Sequence, residues 1–244
     1  MKACYNKLME KYFYLLGVLL CVPLWLAMFL RSNHRRDMVL FGVIFGLAAV
    51  IIEFFYARFD YWHPSHIIPG VYLEDFLYGF IFGGISTEVA EFLMGKVDSK
   101  KPTHPTREQF VLIFGFITVA CFVILVEILN LNSIWAHIVP PLLVGVTVSL
   151  VRHDLFKVSV VSGLMIMILA FLMLSALRII FTTPVFYEHW QMDNLLGIFV
   201  LGIPLEELLF AFALGFGAAN VYEFISGHSL VEKRKSKTLR RSKK

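Results

Sequence analysis

Charge is what this sequence is short of. Of its 244 residues only 16% are Asp, Glu, Lys or Arg, while 58% are hydrophobic. A soluble domain carries about 25% charged residues, so this chain could not cover its own surface in water. Cysteine is scarce too. Cys4, Cys21 and Cys121 lie in or near apolar segments without metal-ligand spacing; they read as small hydrophobes and imply no disulfide framework. No Gly-x-Gly-x-x-Gly follows a strand, so a flavin or nucleotide fold is excluded and no cofactor is expected. His63 and His137 have no partner spacing, and no metal is expected. The last apolar segment, 203–225, contains no lysine for a retinal Schiff base, and Asp-x-x-x-Asp loops of magnesium-dependent prenyltransferases are missing.

What is present is apolar and helical. Runs long enough to cross a bilayer fall near 12–30, 38–56, 71–94, 108–130, 134–151, 157–180 and 203–225. The first follows Lys2, Lys7 and Lys11, as in a signal peptide, but no small-residue cleavage site follows it, so it reads as a helix. The fifth contains Pro140-Pro141, tolerable where neighbouring helices satisfy the freed carbonyls. Arg31, Arg35 and Arg36 lie in the first connection. Lys96, Lys100, Lys101 and Arg107 lie in the third, with Arg152 and Lys157 in the fifth. The loops between hold one firm cation, Arg58. The positive-inside rule therefore predicts an all-α integral membrane protein of the cell membrane, N-terminus out and C-terminus cytoplasmic. The external loops 57–70 and 181–202 carry Tyr61, Trp62, Tyr187 and Trp190, as an interfacial aromatic belt does.

The net charge of +4 comes from the end of the chain, where Lys233, Arg234, Lys235, Lys237, Arg240, Arg241, Lys243 and Lys244 cluster. A basic tail (231–244) beside a membrane helix fits anionic headgroups on the cytoplasmic side. Nucleic acid is not expected as a partner, since no recognition module accompanies the tail.

The third and seventh apolar segments are related. Gly70 aligns with Gly202, Leu73 with Leu205, Glu74 with Glu206 and Leu77 with Leu209. In the same register Phe80 meets Phe212, Gly83 meets Gly215, Val89 meets Val221, and Glu91-Phe92 meets Glu223-Phe224. Asp75 stands opposite Glu207. The expected architecture is two parallel three-helix repeats, about 12–94 and 134–225, joined by a linker helix at 108–130. Gly79-x-x-x-Gly83 and Ala211-x-x-x-Gly215 are small-x-x-x-small faces, predicting that helices three and seven pack on each other.

Both related helices begin with two acids. Pro204-Leu205-Glu206-Glu207 puts a proline and a carboxylate pair in a first turn, where the helix dipole favours negative charge. Pro69-Gly70-Val71-Tyr72-Leu73-Glu74-Asp75 repeats the arrangement. Glu53, Glu127 and Arg178 lie at a similar depth; the purely structural alternative is helix capping plus one ion pair, Arg178 with Glu53 or Glu207. Intramembrane ionisable groups are functional candidates because each costs about 2.5–3.5 kcal/mol at a helix centre. Carboxyls crowded in a low dielectric cannot all ionise, and one that keeps its proton can protonate a carbon–carbon double bond. Neighbouring anions and aromatic faces then steady the carbocation. A second acidic group, Glu88, Glu91 and Glu223, lies at the other end with Arg152, His153 and Asp154 and reads as interfacial pairing.

The duplicated unit opening on Pro204-Leu205-Glu206-Glu207, with Tyr61-Trp62-His63-Pro64 before the first acidic pair, resembles the lycopene cyclase domain family in its fused two-repeat form. That resemblance implies acid-initiated ring closure at a carotenoid end group without net redox change, an isomerase (intramolecular lyase) activity on a hydrophobic polyene. It assigns the acid site to Pro204, Glu206 and Glu207, with Glu74 and Asp75 matching in the first repeat. The alternative expectation is a non-catalytic isoprenoid-binding protein, or a proton-coupled transporter using the same carboxylates.

Overall fold

In the computed structural model, residues 11–32, 34–99, 101–219 and 221–232 are described; Cys4, Lys2, Lys7 and the basic tail 233–244 lie outside them. Seven helices among these residues are long and apolar enough to span a membrane. They are α1 (Phe13–Arg31), α2 (Arg35–Asp60), α3 (Leu73–Met94), α4 (Gln109–Ile128), α5 (Ser133–Val151), α6 (His153–Ile180) and α7 (Leu205–Ser226). The chain is an all-α membrane protein; each predicted run falls on one helix, none reaching more than two residues past its ends.

Connections 61–72, 129–132 and 181–204 gather at one end of the bundle, the acidic end. Asp60 holds them together: its carboxylate accepts from Ser133 N (2.7 Å) and Ser133 Oγ (2.6 Å), and its carbonyl from Asn132 Nδ2 (2.7 Å). At the opposite end Lys96–Asp98 pairs antiparallel with Leu230–Glu232. There Arg152 forks onto both Asp154 oxygens (2.8 and 2.7 Å) and reaches the carbonyls of Glu223 and His228. His34 stands 3.6 Å from Asp37 and 4.0 Å from Glu91. Cys21 and Cys121 are free thiols.

Lipid supplies no hydrophobic drive between helices, so close backbone approach has to come from small residues. Gly42 and Gly46 of α2 seat against Phe80 and Phe76 of α3, while Gly79 and Gly83 of α3 seat against Phe45 of α2. On the other side Gly163 of α6 meets Phe212 of α7, and Gly215 meets Ser162 and Ile166 of α6. Gly217 of α7 presses on the backbone of Pro141, inside an α5 that runs through both its prolines. The small-residue faces of α3 and α7 therefore do not pack on each other as expected. Each is used up by the helix before it, because Phe45 and Ile166 fill the space the glycines leave. α3 and α7 do touch, as expected, but not through these glycines; α3 also meets α6, where Ser162 Oγ donates to the Ser86 carbonyl (2.8 Å).

α3 and α7 are the most buried spans. α4 is peripheral, with Phe114 the only buried residue of Gln109–Phe122. Both α2 and α4 loosen into π-helical stretches near the acidic end, Glu53–Ala57 and Val123–Ile128. Such stretches rotate the side chains beyond them and recur at functional sites.

Candidate functional site

Connections 61–72 and 181–204 meet over the acidic end. Trp62 and Trp190 form an antiparallel backbone bridge, His63 N donates to the His189 carbonyl (2.9 Å), and Gln191 N to the Tyr61 carbonyl (2.9 Å). The helices below begin alike: α3 at Leu73 after Tyr72, α7 at Leu205 after Pro204. The glycines ahead of them, Gly70 and Gly202, both adopt left-handed backbone (φ +78° and +84°), a region that favours glycine. At Gly202 a side chain would also strike the Arg178 guanidinium.

The first acid of each pair holds a loop. Glu74 accepts from Ile67 N (2.8 Å) and Glu206 from Leu196 N (2.5 Å). Both are almost fully buried, and among the described residues each leaves its Oε2 without a partner. Neither lines the cavity described next.

The second acid of each pair faces that cavity. It measures about 740 Å³ and lies among α2, α4, α5 and α7, with α1, α3 and α6 at its edges. One stripe of α7 borders it: Glu207, Phe210, Leu214, Gly217, Val221 and Ile225. At 1.5 Å per residue the stripe runs about 27 Å, most of the depth of a bilayer core. Glu207 and Asp75 both line it, together with Glu53, and nearly all its other lining is apolar or aromatic.

Glu207 is held by one oxygen. Its Oε1 accepts from Trp190 Nε1 (2.7 Å) and from the Tyr61 hydroxyl in a short contact. Its Oε2 has no hydrogen-bond partner among the described residues. With Oε1 doubly occupied as an acceptor, a proton on this carboxyl belongs on Oε2. Burial pushes the Tyr61 hydroxyl well above the ordinary phenol range, and Glu207 beside it adds to the rise. His189, 3% exposed and with no partner for Nε2 among the described residues, packs on Phe13 (4.1 Å between ring centres). Burial, with His63 adding, lowers its pKa to about 4.

Asp75 sits on the other wall. Its Oδ2 is 2.7 Å from His66 Nε2, and the Tyr14 hydroxyl faces it. Glu53 stands close by: donor atoms of Glu53, His66 and Asp75 all lie within 4.8 Å of one another. Three such groups could hold a cation. Two ligands sharing a tetrahedral metal at 2.0–2.1 Å would however stand about 3.3 Å apart, so 2.7 Å marks a direct hydrogen bond.

The remaining sequence candidates lie elsewhere. Arg178 is exposed and donates to the Leu201 carbonyl (2.5 Å), fastening the turn before α7; among the described residues it pairs with neither Glu53 nor Glu207. Its helix presents it to the connection, not to the cavity. Glu127 is exposed on α4 and faces Tyr56. Pro204 is the residue before the first turn of α7, its ring fixing the approach at φ −55°. Tyr14, His66, Tyr78 and the bonding roles of Tyr61 and Trp190 were not foreseen from sequence, where the last two belonged to an aromatic belt. The one signal available was the Tyr61-Trp62-His63-Pro64 string.

Neither the curated proteins nor the solved structures gave a match to this chain. Residues 132–225, covering α5 to the end of α7 with Pro204, Glu206 and Glu207, match the sequence profile of a family described as lycopene cyclase. Over that stretch, its second half, the chain is similar to the lycopene cyclase family.

Proposed function

We propose that the chain is a membrane cyclase that closes a ring on the end group of a long polyene, and that Glu207 is the acid that starts the reaction. One observation carries this reading: Glu207, tied by Oε1 to two buried donors and with no hydrogen bond to Oε2 among the described residues, lines an apolar cavity about 740 Å³ in volume. Such a cavity suits a hydrocarbon ligand with one reactive end. The proton leaves Oε2 for the terminal double bond, and Tyr61 and Trp190 hold the charge that develops on the carboxylate. Tyr14, Trp62 and Tyr78 line the cavity near the acids and offer ring faces to a carbocation. A carrier for a charged solute is disfavoured by the apolar lining.

Two further points belong to this reading. The halves are two copies of one unit, supported by Gly42 on Phe80 against Gly163 on Phe212, and by Glu74 and Glu206 each holding a loop amide. The acidic end faces outward and the C-terminus lies in the cytoplasm, supported by the basic connections at the opposite end.

The test is expression in a lycopene-accumulating bacterial host with chromatography of the pigments. Native protein converts lycopene or another acyclic carotenoid to a cyclic product of unchanged mass. Glu207→Gln abolishes conversion. Glu206→Gln keeps most of it, because an amide oxygen still accepts from Leu196 N. Unchanged acyclic pigments despite verified membrane expression would end the proposal.

A further inference from the structure

We propose that Asp75, backed by His66 and Glu53, is the base that ends the reaction Glu207 begins; this rests on the cyclase reading above. Ring closure without net redox change needs two proton steps at different carbons. The acid adds a proton to the terminal double bond, leaving its other carbon cationic. The electron pair of an inner double bond attacks that cation, forming the ring carbon–carbon bond and moving the charge onto a ring carbon. A base then takes a proton from a carbon beside it, and the C–H pair becomes the ring double bond. One proton enters and one leaves, so the product is an isomer of the substrate. Where the second proton is taken fixes where the double bond lies.

The cavity offers a second carboxyl for that step. Asp75 lines it from α3, on the opposite half from Glu207. Tyr14 and Tyr78 line it as well, their ring centres 6.1 Å apart, and both stand close to the acids: Tyr14 to Asp75 and Glu53, Tyr78 to Glu207. The charge on the ring thus travels past aromatic faces between acid and base. Glu53, 3% exposed, stands in the same cluster, and its buried Oε1 has no hydrogen-bond partner among the described residues. The groups facing Asp75 are Glu53 from α2, Tyr14 from α1, His66 from the 61–72 connection, with Arg58 beyond Glu53 on the same helix.

The two stations differ in how a proton could leave them. Glu207 is bonded to Tyr61 and Trp190, 6% and 3% exposed, and an indole N–H only donates. Asp75 is bonded to His66, whose side chain is 12% exposed on an external connection. An imidazole accepts a proton at one nitrogen and releases one from the other. His66 is therefore the positioning residue and proton carrier for Asp75, and the Asp75 side of the cavity is the one connected to the surface. Arg58 Nη1 donates to the Tyr72 hydroxyl (2.6 Å), and the Tyr72 ring packs 4.9 Å from that of His66, which fixes the imidazole.

The experiment compares product patterns, since a structural role would change only their amount. Native protein, Asp75→Asn, Asp75→Glu, His66→Gln and Glu207→Gln are expressed in a host accumulating the acyclic carotenoid that the native protein cyclises. Asp75→Asn still consumes substrate, but the ratio of ring double-bond isomers changes at least tenfold, or hydroxylated rings appear where water captures the cation. Asp75→Glu restores the native ratio. His66→Gln keeps the native ratio while its rate in membranes shows a larger solvent deuterium isotope effect than native, because proton exit has become slow. Glu207→Gln consumes nothing. The same isomer ratio from Asp75→Asn as from native protein overturns the assignment, whatever the rate. If Asp75→Asn fails to reach the membrane, His66→Gln decides, and an unchanged isotope effect overturns the proposal. Native protein that cyclises no acyclic carotenoid would instead overturn the cyclase reading beneath it.

Discussion

Replacing Tyr61 by phenylalanine removes one hydroxyl from beside Glu207 and little else. The ring stays, and the backbone of Tyr61 still accepts from Gln191 N. In the native protein Glu207 Oε1 takes two donors, the Tyr61 hydroxyl and Trp190 Nε1. A hydrogen bond to a neutral acceptor contributes about 1 kcal/mol net, and one to a charged group about 1.5–3. Only the difference speeds the reaction, because the ground state already has the neutral bond. That leaves roughly 0.5–2 kcal/mol of barrier, or a loss of about 2- to 30-fold in kcat at 1.36 kcal/mol per decade. KM changes little, since the cavity wall keeps its shape. Burial keeps the native Tyr61 hydroxyl protonated across any working pH, so the loss is the same at pH 6 and pH 8. The assay is the initial rate of cyclic product in isolated membranes, over a range of substrate concentrations. A Tyr61→Phe rate equal to native, or a loss as complete as that of Glu207→Gln, refutes the argument that two donors share the developing charge. Trp190→Phe, which removes the other donor, follows the same pattern.

Acid unfolds part of the protein's stability through His189. Its folded pKa, about 4, lies below the ordinary 6.5, so between those values the unfolded chain binds more protons. The stabilising difference is complete above pH 6.5 and is lost as pH falls toward 4, worth roughly 3 kcal/mol at most. Thermal unfolding in detergent shows this as a falling midpoint, and His189→Gln flattens that dependence between pH 6.5 and 4. Asp60→Ala removes acceptors from Ser133 N and Oγ, and the midpoint falls by the equivalent of about 2 kcal/mol, measured the same way. Gly79→Ala drives a methyl into the Phe45 carbonyl, so α2 and α3 must separate; a loss of about 1–3 kcal/mol and a weaker cyclase follow, and an unchanged midpoint with full activity contradicts that packing.

The acidic pairs were legible because charge in an apolar run is rare. Glu74, Asp75, Glu206 and Glu207 stand out for that reason alone, and the spans declare themselves by length. The sequence also carried the correspondence of Gly70 with Gly202, and both positions adopt a backbone that favours glycine. It could not separate the members of each pair. Adjacent residues on a helix point about 100° apart, and which one meets a loop amide and which a cavity depends on where the other helices lie.

The membrane class, the seven helices and the presence of two carboxylate pairs were thus determined by the sequence itself. Composition and run length act locally, and lipid imposes the same demand on every span. The partners of those carboxylates were decided only in three dimensions. Tyr61 reaches Glu207 across 146 positions of chain, and Trp190 joins it from another connection. Arg178, which sequence placed among the acids, turned to a turn carbonyl. The glycines suited to joining α3 with α7 were consumed by α2 and α6, because a small face packs against whichever neighbour first fills it.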